Sequence, residues 1–274
     1  MRDGDPPPDA LRELVFAIRR CIAFLTVPYF RLELPGWERL SSLVGLPISN
    51  RALWARAAPR TVRGKLHGFR MRLRMQDWSE RLTYFLGRYY ELPLERLLQS
   101  LLERGETFID VGGNIGMITL TAASRVGEEG TIHTFEPNPE MVGRIRETVA
   151  LNRLTNVSIY PIGLSDAEAD LVLTTVSESG GWGTFAPVTE RVPSLTYGAV
   201  MARVARADEA LVGKTEGPLV VKIDVEGFEC RVLRGMSRLI DRLRPAIITE
   251  VESQLLQSAA SSVNELFEMM RAWG

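Results

Sequence analysis

The sequence predicts an α/β fold, a mainly parallel sheet with helices on both faces, preceded by a helical and β N-terminal extension. Three observations carry this. Short apolar, β-branched runs alternate with segments of helical period between Thr107 and Val251, which is the pattern of βαβ units with right-handed crossovers. The stretch Phe108-Ile-Asp-Val-Gly-Gly-Asn-Ile-Gly116 reads as strand, glycine-rich turn and helix, the arrangement by which such a sheet brings backbone close to a ligand. A second acid, Glu136, closes the next apolar strand.

With 274 residues, 45% of them hydrophobic, the chain suffices for one sizeable α/β domain and an extension. The expected division is an extension at 1–76 and a main domain at 77–274. A net charge of −1 gives no global pull toward nucleic acid. Cys21 and Cys230 are the only cysteines, too few and too dissimilar in context for a disulfide framework. The only histidines are His67 and His133, which argues against a zinc site.

Residues 1–9 are expected to be disordered, since Pro6, Pro7 and Pro8 block regular structure. This acidic, proline-rich start is unlike a secretory signal. Asp9 is placed to cap a helix from Ala10 to about Thr26. Leu14 to Phe30 is apolar, but Arg19 and Arg20 interrupt it and Pro28 ends it, so it does not meet the length of a transmembrane helix. It reads as an amphipathic helix packed on the domain, with a membrane-surface or partner helix as the second reading. Pro28, Pro35 and Pro47 punctuate a loose region with one or two short helices.

From Arg51 to Met75 there are eight Arg and Lys residues and no carboxylate. The favoured reading is a solvated basic face; the sharper one is contact with an anionic acceptor, a nucleotide-sugar phosphate or a lipid headgroup, the last as weak contact with a membrane or another anionic surface. Phe69 to Met75 alternates strictly, predicting a strand with Phe69, Met71, Leu73 and Met75 inward. Helices are expected from Asp77 to Leu86 and from Leu94 to Leu102. The second should carry Leu94, Leu97, Leu98, Leu101 and Leu102 on one stripe and end at Gly105.

The core is then read in order. Strand Thr107–Val111 leads to helix Met117–Arg125, and strand Thr131–Glu136 to helix Glu140–Asn152 with Pro139 in its first turn. Strand Val157–Pro161 follows, then a short strand at Leu171–Leu173 and a mobile loop from Ser177 to Pro193. Strand Leu219–Val225, helix Glu229–Asp241, strand Ala246–Val251 and helix Val263–Trp273 complete the reading.

Ligands of such sheets bind outside the carboxyl ends of the strands, where Asp110, Glu136, Asp166 and Asp224 fall. Glu136 is placed to accept from two vicinal ribose hydroxyls. The turn Gly112-Gly-Asn-Ile-Gly116 lacks the G-x-G-x-x-G spacing of a dinucleotide cradle. Asp110 beside it disfavours a pyrophosphate and favours a cationic ligand. S-adenosylmethionine, with a ribose, an ammonium and a sulfonium, fits better than NAD.

Asp110-Val-Gly-Gly-Asn-Ile-Gly116, Phe135-Glu-Pro-Asn-Pro139, Asn152, Gly163-Leu-Ser-Asp166, Lys222-Ile-Asp-Val-Glu-Gly-Phe-Glu229, Leu233-Arg-Gly235 and Arg244-Pro245 together resemble the FkbM family of S-adenosylmethionine-dependent methyltransferases. The similarity covers roughly Tyr84 to Val251 and includes Tyr90-Glu91. It implies a class I, Rossmann-like methyltransferase fold. It also implies O-methylation of a hydroxyl on a carbohydrate or related natural product, and hence a small-molecule or glycan acceptor. A cytoplasmic location is expected from the missing signal and from the supply of S-adenosylmethionine. Carried across, Asp110, Gly112, Asn114 and Gly116 line the methionine side of the cofactor and Glu136 holds the ribose. Leu164, Ser165 and Asp166 lie where the adenine sits; Asp166 either accepts from its amino group or caps the following turn. Asp224 faces the transferable methyl, and Glu226 lies two residues on. Gly113 stands where the family commonly has alanine, a change expected to be tolerated. The class usually continues into an antiparallel hairpin after the last helix, which these residues do not include.

An alcohol needs a base to become a good nucleophile, and Asp224 and Glu226 are the catalytic candidates by position. Lys222, unusual inside a strand, is expected to pair with a carboxylate such as Glu250. No residue is assigned to a metal, although Asp224, Glu226 and Glu250 could converge on a divalent ion. Trp182 and Phe185 could close over the acceptor. Two other readings stand beside this one: an NAD-dependent oxidoreductase and a non-catalytic binding protein.

Overall fold

The computed structural model describes residues 9–176, 181–188, 191–193 and 195–273; the expected disorder at the start falls almost wholly outside them. Two compact units emerge, Met1–Lys65 with Met71–Tyr90, and Leu66–Arg70 with Glu91–Gly274.

The first unit holds α1 (Asp9–Leu25), α2 (Val27–Arg31), α3 (Trp37–Leu43), a 3-10 turn at Ile48–Asn50 and α4 (Arg51–Trp54). Strands β1 (Arg60–Arg63) and β2 (Arg70–Leu73) pair as a two-stranded sheet, and α5 (Trp78–Leu86) follows. The alternation read at Phe69–Met75 holds, with Met71, Leu73 and Met75 fully buried. Asp77 caps α5 by accepting from the Ser79 and Glu80 amides, and Gly87 ends it in the left-handed conformation. Phe24, Phe30, Trp54 and Phe85 form the core, largely by edge-to-face contacts. Arg81 is buried beside them, and its guanidinium donates to the Leu46, Pro47 and Met75 carbonyls.

The second unit begins with α6 (Leu92–Leu101). Only Leu98 of the expected stripe, with Leu102 just beyond the helix, is fully buried; Leu97 and Leu101 are exposed. The core then runs β3 (Thr107–Val111), α7 (Met117–Val126), β4 (Thr131–Phe135), α8 (Pro139–Leu151) and β5 (Val157–Tyr160). After it come β6 (Gly163–Leu164), β7 (Ala169–Val176), β8 (Gly183–Thr184), β9 (Tyr197–Ala205) and α9 (Ala207–Ala210). The chain returns through β10 (Leu219–Ile223), α10 (Glu229–Gly235), α11 (Ser237–Leu243), β11 (Ala246–Thr249), α12 (Ser253–Ser258) and α13 (Val263–Trp273).

The main sheet is wholly parallel, in the order β5-β4-β3-β10-β11. Every residue of β3 and β10 is buried, as central strands covered on both faces must be. The strand order reverses at β3, so the crevice at the ends of β3 and β10 is the switch point where ligands of such sheets bind.

Three features depart from the sequence reading. A second sheet, β6-β9-β7-β8, is mostly antiparallel; its longest strand, Tyr197–Ala205, was not anticipated, and the expected Leu171–Leu173 strand is eight residues long. The expected loop at Ser177–Pro193 contains β8 in its described part. The single helix expected at Glu229–Asp241 is two, broken at Met236. At that break a β-carbon on Gly235 would stand 1.9 Å from the Ser165 carbonyl oxygen, so the helix end packs directly on the backbone after β6.

Candidate active site

Register brings the buried polar residues together. Thr134, Asp110 and Lys222 are direct partners across β4, β3 and β10, so their side chains leave the sheet on one face. Thr119, from α7, donates to Asp110 Oδ2 at 2.7 Å and lies 3.1 Å from the Thr134 hydroxyl. The Lys222 ammonium sits 3.5 Å from Asp110 Oδ1 and 3.2 Å from Asp224 Oδ2. It also donates to the Gly112 carbonyl at 2.8 Å. Burial alone would push the Lys222 pKa down, but Asp224 and Asp110 override it and push it up. Burial pushes the Asp110 carboxyl up, against the Lys222 charge and the Thr119 hydroxyl. Lys222 pairs with carboxylates, as expected; they are Asp110, its register partner on β3, and Asp224, two residues on along its own segment, rather than Glu250.

The glycine turn is pinned at both ends. The Gly112 and Gly113 amides donate to the Phe135 carbonyl, each at 3.0 Å. Gly112 has φ 84° and runs so close to β10 that a β-carbon there would lie 1.9 Å from the Asp224 carbonyl oxygen, which is room only for glycine. Asn114 is itself left-handed at φ 48°. Glu136, just past β4, is buried and accepts from the Asn114 amide at 2.8 Å and the Asn138 amide at 2.9 Å. Each of its oxygens keeps a second lone pair. Burial raises the Glu136 pKa to about 7.

Glycine is accommodated at position 113, and an alanine there would be crowded. A β-carbon there would lie 2.2 Å from Thr134 Cγ2 and 3.2 Å from Ile145 Cδ1. In this chain the position requires glycine because β4 presents a threonine beneath the turn.

Beyond the ends of β10 and β11, Asp224, Glu226 and Glu250 converge, with carboxylate oxygens all within 4.8 Å of one another. That spacing could hold one divalent ion or share protons among the acids. Burial, then the charges of Asp224 and Glu250, raises the Glu226 pKa to about 8. Partial burial and Asp224, which hydrogen-bonds to it, raise Glu250 to about 7. Glu226 holds a left-handed backbone, φ 53°. Its carbonyl accepts from Thr184 Oγ1 at 2.7 Å, and its carboxylate accepts from Trp182. Phe185 packs against Phe228 with the rings tilted by 48° and their centroids 5.4 Å apart. A cavity of about 160 Å³ opens beside the cluster, lined by Glu91, Leu94, Lys222, Asp224, Thr249 and Glu250, among others.

Ser165 and Asp166 lie after β6. Ser165 is buried and donates to Asp166 Oδ1 at 3.1 Å. The Asp166 carboxylate faces Arg231 at 3.6 Å and Arg234 at 3.8 Å, both on α10. Thr119 and Thr184 were not anticipated. A threonine inside a helix or a short strand has no local signature of the carboxylate or carbonyl it will meet.

The family model for the methyltransferase FkbM domain matches residues 110–274. The chain belongs to the FkbM methyltransferase family. Among its relatives, the hexuronic acid methyltransferase AglP of Haloferax volcanii is 30% identical over 161 residues, which are 58% of this chain and 61% of that protein. Methyltransferase 1 of Beauveria bassiana is 30% identical over 143 residues, 47% of this chain and 57% of that one. The chain thus spans about three fifths of the length of these curated relatives. The solved methyltransferase FkbM of Methylobacillus flagellatus KT aligns with a TM-score of 0.40 at 13% identity, covering 73% of this chain and 47% of that one. Methyltransferase activity is the family's, and the oxidoreductase reading gives way to it. Among the described residues, no helix is long and apolar enough to cross a membrane.

Proposed function

We propose that the chain transfers a methyl group from S-adenosylmethionine to a hydroxyl oxygen of a carbohydrate or related natural product. The observation that carries this is the adjacency of two sites. The glycine turn with Glu136 lies at the end of β3 and β4, and the Asp224–Glu226–Glu250 cluster with its cavity lies at the ends of β10 and β11.

The donor set suits that cofactor. Around the turn stand Asp110, Glu136 and Asp224, and the one ammonium among them, Lys222, is engaged by two carboxylates and a carbonyl. Such a set repels phosphate and suits a cationic, phosphate-free nucleoside. Glu136 has lone pairs left for the ribose hydroxyls. Asp110, Gly112, Asn114 and Gly116 would bound the amino-acid portion, and Ser165 and Asp166 the adenine. S-adenosylmethionine supplies an activated methyl on a sulfonium.

The chain's own work is to align the acceptor and take its proton. Glu226 and Glu250 titrate near neutral pH, where a general base is most effective. Asp224, held by Lys222, orients the acceptor hydroxyl or passes its proton to Glu250. Likeness to a hexuronic acid methyltransferase supports a sugar acceptor.

Calorimetric titration with S-adenosylhomocysteine and with NAD tests the donor site: binding of the first alone is expected, and binding of NAD alone would overturn the reading. Transfer of isotopic methyl to a panel of glycans and small alcohols then identifies the acceptor class.

A further inference from the structure

Helix α1 carries an apolar stripe that the protein leaves uncovered. Leu11, Leu14, Val15, Ile18, Ile22 and Leu25 recur at helical spacing and are 47–80% exposed. The opposite side of the same helix supplies Phe16, Ala23 and Phe24 to the aromatic core of the first unit. The helix is therefore apolar on two sides, one spent on folding and one facing out. Folding does not explain the outer stripe, and an exposed apolar face of this length marks a binding surface.

Charge identifies what it binds. Residues 9–90 hold 15 Lys and Arg against 6 Asp and Glu, whereas residues 91–274 hold 17 against 26. The near-zero net charge of the chain thus hides a strongly basic first third. Arg12 and Arg19 fall along one border of the outer stripe on α1, and both are exposed. Leu32 and Leu43 of the same unit are also 70% and 77% exposed. An apolar stripe bordered by arginine is the pattern of a helix lying in the interface of an anionic bilayer, leucines in the acyl boundary and guanidinium groups at the headgroups. A second copy docking through the same face would bring two basic segments together, which Coulomb repulsion opposes. No described helix can span a bilayer, so the helix lies on it.

We propose that α1 seats the protein on an anionic lipid surface through Leu11, Leu14, Val15, Ile18, Ile22 and Leu25. This is independent of the methyl-transfer reading, since the stripe lies outside the residues assigned to that site.

The test is co-sedimentation of the full chain with vesicles of two parts phosphatidylcholine to one part phosphatidylglycerol, beside vesicles of phosphatidylcholine alone. Binding to the anionic vesicles is expected, at least about 10-fold tighter than to the neutral ones and weakened at about 0.5 M salt, where the screening length falls to a few ångströms. The exposed-site variant Leu14→Glu/Ile18→Glu should lose binding about 10-fold or more, with an unchanged melting temperature and unchanged affinity for S-adenosylhomocysteine. Arg19→Glu, which leaves the stripe intact, should weaken only the anionic preference. No sedimentation of the folded wild type with anionic vesicles would overturn the proposal. So would equal binding by the double variant, or a solution dimer that the double variant splits, which would assign the stripe to a second copy.

Discussion

The Nζ of Lys222 lies 3.2 Å from Oδ2 of Asp224 on one side and 3.5 Å from the wholly buried Asp110 on the other. One ammonium thus ties the strand beneath the glycine turn to the residue that opens the carboxylate cluster.

Removing that ammonium strands two carboxylates. Lys222→Met should destabilise the protein by about 3–5 kcal/mol near neutral pH, the usual cost of breaking a buried pair from one side. The loss should shrink at lower pH, where Asp110 can take a proton, and in the double variant Lys222→Met/Asp110→Asn. Denaturant unfolding at two pH values checks this. Equal losses at both, with additive single effects, would show that the pair is not coupled.

The glycine turn gives a steric prediction with a built-in rescue. Gly113→Ala places a methyl 2.2 Å from Thr134 Cγ2, and overpacking of this kind costs about 1–3 kcal/mol. Thr134→Ser removes that methyl while keeping the hydroxyl beside Thr119, so Gly113→Ala/Thr134→Ser should recover most of the loss. Gly112→Ala meets backbone, the Asp224 carbonyl at 1.9 Å, at a positive φ, and no single partner change should rescue it. Thermal melts of the four variants decide between the two cases.

The contrast shows where sequence reading ends. The parallel core was legible because β3, β4 and β10 are apolar runs with acids or glycines at their ends, and each of those features is local. The strand at Tyr197–Ala205 was not, because Gly198, Ala199, Ala202 and Ala205 dilute the alternation that marks a strand. The break after Gly235 is invisible without the Ser165 backbone that crowds it. At the site, the convergence of Asp224, Glu226 and Glu250 could be foreseen from strand order. Of the partners of Lys222, Asp224 lies only two residues on, a local spacing, whereas Asp110 depends on the register of β3 against β10, which no local pattern encodes. The crowding that an alanine at position 113 would meet is hidden for the same reason, since it turns on Thr134 across the sheet.

The raised carboxyls predict a pH dependence of stability. Glu136, Glu226 and Glu250 have folded values of about 7, 8 and 7, above their ordinary value near 4.5. Between these limits the folded state holds protons that the unfolded state has released. Their contribution is therefore complete below about pH 4.5 and is lost as pH rises through 7 to 8. The melting temperature of the ligand-free protein should fall by about 5 °C or more between pH 5.5 and pH 8.5, at roughly 2–4 °C per kcal/mol for a chain of this size. Glu226→Gln, which fixes the neutral form, should flatten that slope. A slope unchanged by Glu226→Gln would remove this residue as its source.

Cofactor and acceptor roles separate in two further variants. Glu136→Ala removes the carboxylate that accepts from Asn114 and Asn138 and is offered to the ribose. Hydrogen bonds to a charged group contribute about 1.5–3 kcal/mol, so affinity for S-adenosylhomocysteine should fall about 10- to 100-fold. Asp224→Asn keeps the shape at the mouth of the cavity and changes the chemistry there. It should leave that affinity within about 3-fold and slow methyl transfer about 100-fold or more, the scale of a lost acid–base group. Wild-type turnover should rise with pH through about 7 to 8, as Glu250 and Glu226 lose their protons and become able to act as bases. Calorimetry on both variants, with single-turnover kinetics across that range using the acceptor the panel identifies, separates the two roles. A rate unaltered in Asp224→Asn would remove Asp224 from the chemistry, and an affinity unaltered in Glu136→Ala would remove Glu136 from the ribose.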